Sequence, residues 1–226
     1  MSNIHSITKR ISPLVLILGL AACAAQPTSQ ATAKIGAKTL NVGQAALSAG
    51  HPEMSIGVAN AVLRRNPKNV QAWVLKSTAE YESGDIQGAE AAAGQAVTLA
   101  PRDVGANMAL GRAYANTDPK RALQSFELAH AGAPDAVGPA IDLGVSYIQN
   151  GYGDKGVKVL QQVVNAHPNN QTAVMDLALA MTVRNHPGDA LRAAALLRPL
   201  ADQPNASGTM KSVYDYISSM AGEPAR

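Results

Sequence analysis

The chain has 226 residues, of which 46% are hydrophobic and only 4% aromatic. A chain of this length can bury a continuous core, and the scarcity of aromatic rings leaves alanine and glycine to fill the space between closely packed helices. Nineteen Lys and Arg residues face 16 Asp and Glu, so the formal net charge is +3. This near balance disfavours a charge-driven partner such as nucleic acid.

The first 22 residues have the pattern of a secretory signal peptide. Lys9 and Arg10 form a basic region, and residues 13–20 are a short apolar run that small residues follow. This run is shorter than the roughly 20 residues of a membrane-spanning helix, so we predict cleavage rather than a span. Removal of residues 1–22 takes two basic residues and no acidic ones, which leaves 17 basic against 16 acidic residues.

Cys23 is the only cysteine of the chain, so no intramolecular disulfide can form. It ends the run Leu20-Ala21-Ala22-Cys23, which resembles the lipobox of bacterial lipoproteins. The resemblance implies lipidation of Cys23 and anchoring by two or three acyl chains. The alternative is an uncleaved leader with an incidental cysteine. Because Ala24 stands where many Gram-negative lipoproteins retained in the inner membrane have aspartate, we expect the periplasmic face of the outer membrane.

Residues 23–36 are rich in Ala, Thr, Ser and Gln and include Pro27. They lack an apolar period, so we predict a lipidated cysteine followed by a flexible tether that reaches on the order of 20 Å.

Prolines mark a repeat along the rest of the chain. Pro67, Pro101, Pro134 and Pro168 stand 34, 33 and 34 residues apart, and each follows a stretch patterned as two helices. A period of this length predicts a helical solenoid in which each unit buries its apolar face on its neighbours.

The second unit carries Trp73, Gly84, Asp85, Ala89 and Pro101, and this spacing resembles the tetratricopeptide repeat. Trp73 is expected to fill the space between the two helices of its unit. Gly84 is expected to end the first helix in a left-handed conformation, and Asp85 to cap the second. Ala89 permits a close helix crossing, and the proline ends the second helix.

The remaining units match less uniformly. The fourth has Gly156 where alanine is usual, which costs roughly 1 kcal/mol in a helix interior and predicts a locally soft repeat. The first and fifth are degenerate, as expected for terminal units. We therefore predict an all-α fold, a right-handed α-solenoid of about five tetratricopeptide repeats over residues 37–206, with a C-terminal capping helix and tail over residues 207–226.

The sequence predicts no enzyme, cofactor or metal site. Asp142 and Asp176 occupy equivalent positions and could meet as an acid pair, although holding a partner's Lys or Arg, or simple solvation, is the favoured interpretation. A catalytic or metal-dependent site at these two carboxylates is the alternative class. Four histidines lie near turns or helix ends, without the spacing of zinc ligands, and are expected to be solvated: His51, His130, His167 and His186.

In the tetratricopeptide family the first helix of each unit lines a concave face. The equivalent positions of this chain are mostly apolar. From them we predict a protein-binding groove of Leu47, Val74, Tyr81, Met108, Arg112, Ile141, Val145, Ile148, Met175 and Leu179. Leu40, Gln44, Thr78, Ala115 and Val183 share the register. Only Arg112 would suit a carboxylate clamp, so an amphipathic helix or an apolar strand is the expected ligand. The alternative is that some of these side chains are core.

Anchor, tether and repeats together resemble the Tad/Flp pilus assembly lipoproteins that accompany an outer-membrane secretin, and also the pilotins of type IV pili. The resemblance implies a non-enzymatic scaffold, lipid-anchored at the outer membrane, that binds a secretin or a pilus-assembly component. An adaptor in another envelope or polysaccharide assembly system is the main alternative.

Overall fold

The computed structural model describes the backbone of residues 29–222 and the side chains of residues 36–222. The predicted signal peptide, Cys23 and the beginning of the predicted tether lie outside the described residues.

Between residues 29 and 222 the chain forms eleven α-helices and no strand. The helices are α1 Ser29–Ser48, α2 Pro52–Arg65, α3 Val70–Ser83, α4 Ile86–Leu99, α5 Val104–Tyr114, α6 Pro119–Gly132, α7 Val137–Gln149, α8 Gly153–Ala166, α9 Gln171–Arg184, α10 Asp189–Ala201 and α11 Gly208–Met220. Each helix packs against the next, which gives five helical hairpins followed by α11. The prediction of an all-α repeat fold with a final helix is confirmed.

The repeat prolines end the second helix of the first four hairpins, as predicted. Pro67 follows Asn66, the C-cap of α2, and Pro168 follows His167, the C-cap of α8. Proline disfavours helical conformation in the residue before it, so α2, α4, α6 and α8 each stop at the same point of their repeat.

Local capping signals act as the sequence indicates. Gly84 ends α3 with φ 88°, a left-handed conformation that glycine adopts without a steric penalty. The Asp85 side chain accepts a hydrogen bond from the backbone N–H of Gly88 at the start of α4. Side-chain caps of the same kind begin other helices, from Asn69, Asp103, Asp118, Asn170 and Ser207.

The predicted tether is corrected at its end, because α1 begins at Ser29 and residues 29–36 are helical. This segment contains alanine, glutamine and lysine, which favour helix, and no proline follows Pro27 within it. Once the later part of α1 is packed, each further residue adds a backbone hydrogen bond without a new nucleation cost.

The core alternates small and large residues where the two helices of a hairpin cross. A Cβ on Gly111 would lie 2.5 Å from the Phe126 ring, and one on Gly144 would lie 2.6 Å from Leu160 Cγ. In the second hairpin Ser77 takes the same position, and its hydroxyl donates to the Ala89 carbonyl at 2.9 Å. Small residues on the first helix thus make room for the side chain or backbone of the second helix that packs against them.

The structure places Trp73 differently from the prediction. Its ring packs on Val62 and Leu63 of α2, and its indole N–H donates to the Pro67 carbonyl at 2.8 Å. Trp73 therefore fills the junction between the first two hairpins rather than the interior of its own. Between α3 and α4 the crossing is formed by small residues, where Ser77 donates to the Ala89 carbonyl.

Gly156 is a packing requirement of the α7–α8 crossing. A Cβ at this position would lie 2.6 Å from the backbone carbonyl oxygen of Gly144 and 2.6 Å from Ile148 Cδ1. Alanine, usual at this point of the repeat, would not fit without moving one of the helices.

Candidate protein-binding groove

The first helices of the hairpins α1, α3, α5, α7 and α9 follow one another as an inner row, in which α5 and α7 are linked by the Arg112–Asp142 ion pair. Helix α1 contacts α3, α3 contacts α5, and α7 contacts α9, in addition to the contacts within each hairpin. Side chains on this inner row are therefore the ones that can act together on a single ligand. None of the helices in the described part of the chain is long and apolar enough to cross a membrane.

An apolar groove lies between α7 and α9. We call it the α7–α9 groove; its lining residues are Val145, Ile148, Gln149, Leu160, Asp176, Leu179, Ala180 and Val183. Leu160 of α8 is fully buried at its base, whereas Leu179 is 38% and Val183 66% exposed. Large aliphatic side chains with this exposure, next to one another on an inner face, form a surface that a protein partner could cover.

Three of the predicted groove residues, Val145, Ile148 and Leu179, come together in this groove. Val183, from the same register, joins them. Met175 is half-buried and packs against the core cluster beneath α9.

Two predicted groove residues are wrong. Leu47 is 5% and Ile141 9% exposed, and each belongs to a core cluster. Consecutive helix residues lie about 100° apart, so one end of the assigned face turns into the neighbouring helix. These two side chains have almost no surface left for a partner.

The predicted residues of α3 and α5 lie on the inner row but outside the α7–α9 groove. Val74 and Tyr81 are half-buried, and Met108 is half-buried against the cluster around Phe126. Half-burial leaves part of each of these side chains exposed on the inner row.

Charged residues run across the inner row beside the groove. Arg112 of α5 donates from Nε to Asp142 Oδ2 of α7 at 2.9 Å. Asp176 of α9 makes no hydrogen bond or ion pair with any described residue. Burial, and secondarily the Asp142 carboxylate, raises the pKa of Asp176. The two aspartates are thus close enough for their charges to interact, which the sequence left open, and Asp142 is paired with Arg112 of the same chain rather than solvated.

Sequence reasoning missed an ion-pair network that joins α8, α9 and α10. The Asp189 carboxylate is buried and receives hydrogen bonds from Arg184 at 2.8 and 2.9 Å and from Arg192. Arg184 also reaches Asp154 at 3.1 Å. Hydrogen bonds from Arg184, more than any other cause, hold the pKa of Asp189 well below its usual range. The spacing on α9 and α10 brings these charges together only after the hairpin has closed.

The histidines hold no metal-binding arrangement within the described residues, where no group of three potential ligands occurs. His51, His167 and His186 are exposed, as expected. His130 corrects the prediction, since it is half-buried and its Nδ1 is buried without a hydrogen-bond partner in the described part of the chain. It lines a pocket together with Asp135, from the turn after α6, and His167, the C-cap of α8.

Comparison with known proteins agrees with this geometry. Residues 40–97 and 75–137 match the tetratricopeptide repeat family. This family generally provides non-enzymatic scaffolds, and no catalytic family is indicated. No curated protein sequence matches the chain.

Solved structures share the fold at low sequence identity. PilW, a type IV pilus biogenesis factor, has a TM-score of 0.73 at 15% identity and covers 84% of this chain and 87% of its own. Pseudomonas aeruginosa PilF has a TM-score of 0.70 at 12% identity, with 85% and 86% covered. A thermophilic tetratricopeptide-repeat protein from Thermus thermophilus has a TM-score of 0.67 at 18% identity, with 80% and 98% covered. Residues 40–137 are thus tetratricopeptide repeats, and the described chain has the fold of a tetratricopeptide-repeat protein.

Proposed function

We propose that this chain is a protein-binding scaffold, lipid-anchored at the periplasmic face of the outer membrane, that helps to assemble a Tad/Flp-type pilus or its secretin. A pilotin or an adaptor for another envelope or polysaccharide assembly system is the alternative. Tetratricopeptide arrays serve many pathways, so the fold supports the binding role and the sequence supports the location.

The observation that carries the binding role is the exposure of Leu179 and Val183 in the α7–α9 groove. Covering a large aliphatic side chain with a partner contributes about 1.5–3 kcal/mol when burial is complete. Val145 and Ile148 extend the same apolar surface on α7, so a partner segment could bury several aliphatic side chains in one contact.

The likeness to PilW and PilF supports the pilus assignment, since both share the fold over most of their length and one is a type IV pilus biogenesis factor. The lipobox-like run ending at Cys23 supports an anchor. A lipid anchor would confine the groove to the membrane surface and raise the effective concentration of a partner held there.

The binding role is tested by a double substitution in the groove, Leu179→Glu with Val183→Glu. The matched control is Leu128→Glu with Leu191→Glu, because these leucines are 54% and 53% exposed on α6 and α10, second helices of their hairpins. We expect only the groove variant to lose secretin multimers and surface pili, with helicity unchanged in both by circular dichroism. Normal assembly with the groove variant, or equal loss with both, would contradict the proposal.

The pathway is tested by deletion of the gene. Loss of Flp-type pili with intact polysaccharide export supports the primary proposal, whereas intact pili with defective export supports the alternative.

A further inference from the structure

Comparison of equivalent positions in successive repeats shows that Asp176, on the first helix of the fifth repeat, has no arginine where Asp142 has one. Asp142 and Asp176 each lie eight residues after a repeat proline, Pro134 and Pro168, so they are equivalent. The cation that pairs with Asp142 is Arg112, which lies eleven residues after Pro101. These positions show that a charge one repeat earlier can reach the carboxylate.

The residue equivalent to Arg112 for Asp176 is Val145, eleven residues after Pro134. Val145 is aliphatic and lines the α7–α9 groove, so it offers Asp176 no charge. The Asp176 carboxylate therefore lies at a mostly apolar groove and is partly desolvated, and it makes no ion pair or hydrogen bond with a described residue. A carboxylate in this position is stabilised when a ligand brings a positive charge to it.

The apolar part of the groove continues from this carboxylate along one face of α9. Asp176, Leu179, Ala180 and Val183 stand at i, i+3, i+4 and i+7, which places them on one side of the helix. At 1.5 Å per residue, Leu179 and Val183 follow Asp176 by about 5 and about 10 Å. A ligand that fits must carry its charge at one end of an apolar stripe with the same spacing.

We infer that the α7–α9 groove binds an amphipathic helical segment of the protein partner that places one Lys or Arg on Asp176 and aliphatic side chains on Leu179 and Val183. This inference rests on the proposed function and specifies the partner's chemistry. The ligand has the opposite polarity to a carboxylate clamp, since the repeat array presents the anion and the partner presents the cation.

Binding of designed peptides to the full-length chain tests the inference. The probes are two labelled helical peptides. In one, a Lys stands seven residues before a leucine, and in the other it stands seven residues after a leucine; each has a second leucine between them. Each peptide is matched by a version with Gln in place of Lys. We expect one Lys peptide to bind about tenfold more tightly than its Gln version, the effect of a close interfacial ion pair. Equal affinity of each Lys and Gln pair would overturn the inference.

Two variants assign the effect to Asp176. Asp176→Asn should abolish the preference for Lys and leave the unfolding midpoint unchanged or higher, because it removes an unpaired carboxylate. A purely structural role for Asp176 predicts a lower midpoint. Val145→Arg should rebuild the Arg112–Asp142 arrangement one repeat later and also abolish the preference. Asp215→Asn, at an exposed position of α11, removes the same charge elsewhere and should change nothing.

The inference and the proposed function fail in different ways. The inference is wrong if the Lys preference survives in Asp176→Asn. It is also wrong if no peptide binds while the Leu179→Glu and Val183→Glu variant still blocks assembly, and in that case the groove remains the binding site. If that groove variant assembles pili normally, the proposed function itself is contradicted.

Discussion

Replacing Gly156 by alanine should destabilise the protein, although helix propensity alone predicts the opposite. The new Cβ would lie 2.6 Å from the Gly144 carbonyl oxygen, and Ile148 Cδ1 and Cγ1 stand at 2.6 and 2.7 Å. A side chain such as Ile148 can rotate, but the Gly144 carbonyl is fixed within α7. The substitution therefore forces α7 and α8 apart, directly beneath the α7–α9 groove.

The magnitude follows from two opposing effects. Alanine in place of glycine gains about 1 kcal/mol of helix stability, while overpacking of a tight interior contact costs about 1–3 kcal/mol. Gly94 in α4 provides the control, because a Cβ there meets nothing within 4 Å. Gly94→Ala should stabilise by about 0.4–1 kcal/mol. The same substitution in two second helices should thus move the free energy of unfolding in opposite directions.

Urea denaturation followed by far-UV circular dichroism measures both variants. We expect the midpoint to fall for Gly156→Ala and to rise for Gly94→Ala, with unchanged slopes. Two equal increases would show that the close α7–α8 approach is absent in solution, and that Gly156 is an ordinary helix glycine with the cost that the sequence alone assigns to it.

Three further substitutions test other parts of the account. Cys23→Ala should abolish fatty-acid labelling and outer-membrane fractionation, and a variant that keeps both would disprove the predicted anchor. Ala122→Leu should cost about 1–3 kcal/mol by overpacking, because Ala122 is fully buried, whereas Ala91→Leu at an exposed helix position should change the unfolding midpoint little. Asp189→Asn should destabilise by about 3 kcal/mol at pH 7, because it breaks a buried ion pair. The pKa of Asp189 is lowered in the folded state, so its stabilisation is complete above the unfolded pKa of about 3.9 and declines as the pH falls below it. The difference between wild type and Asp189→Asn in urea midpoint should therefore narrow between pH 5 and pH 2, and a constant difference would contradict this assignment.

Features set by neighbours in sequence could be predicted. Gly84 and Asp85 act within one turn of their own positions, and the prolines stop helices through the residue before them, so local signals suffice. Four of the five hairpins follow from the proline spacing. The fifth, α9–α10, lacks the closing proline and was inferred from its apolar pattern. The helical start of α1 was missed because a segment without an apolar period can still continue a helix that is packed further along.

Features set by packing between units could not be predicted as well. Leu47 and Ile141 were assigned to the groove, but a rotation of one residue about the helix decides between groove and core. Trp73 was assigned within its own hairpin, but it packs against the α2 cluster and its indole N–H donates to the Pro67 carbonyl. The Asp189 network joins three helices, and nothing in the local sequence marks it. Asp176 could be predicted in part. Its equivalence to Asp142 is visible in the sequence, but the absence of a matching arginine, where Val145 stands, is recognised only after the structure shows that Arg112 pairs with Asp142.

The central claim is that the α7–α9 groove contacts a partner in the assembled envelope. A photo-crosslinking amino acid at Leu179, in cells that make pili, tests this contact directly, with the same group at Leu128 as the control. We predict a crosslink to a secretin or a pilus-assembly component from position 179 and none from position 128. Crosslinks of that kind from position 128 alone would contradict the account, because binding would then use the opposite face of the repeats.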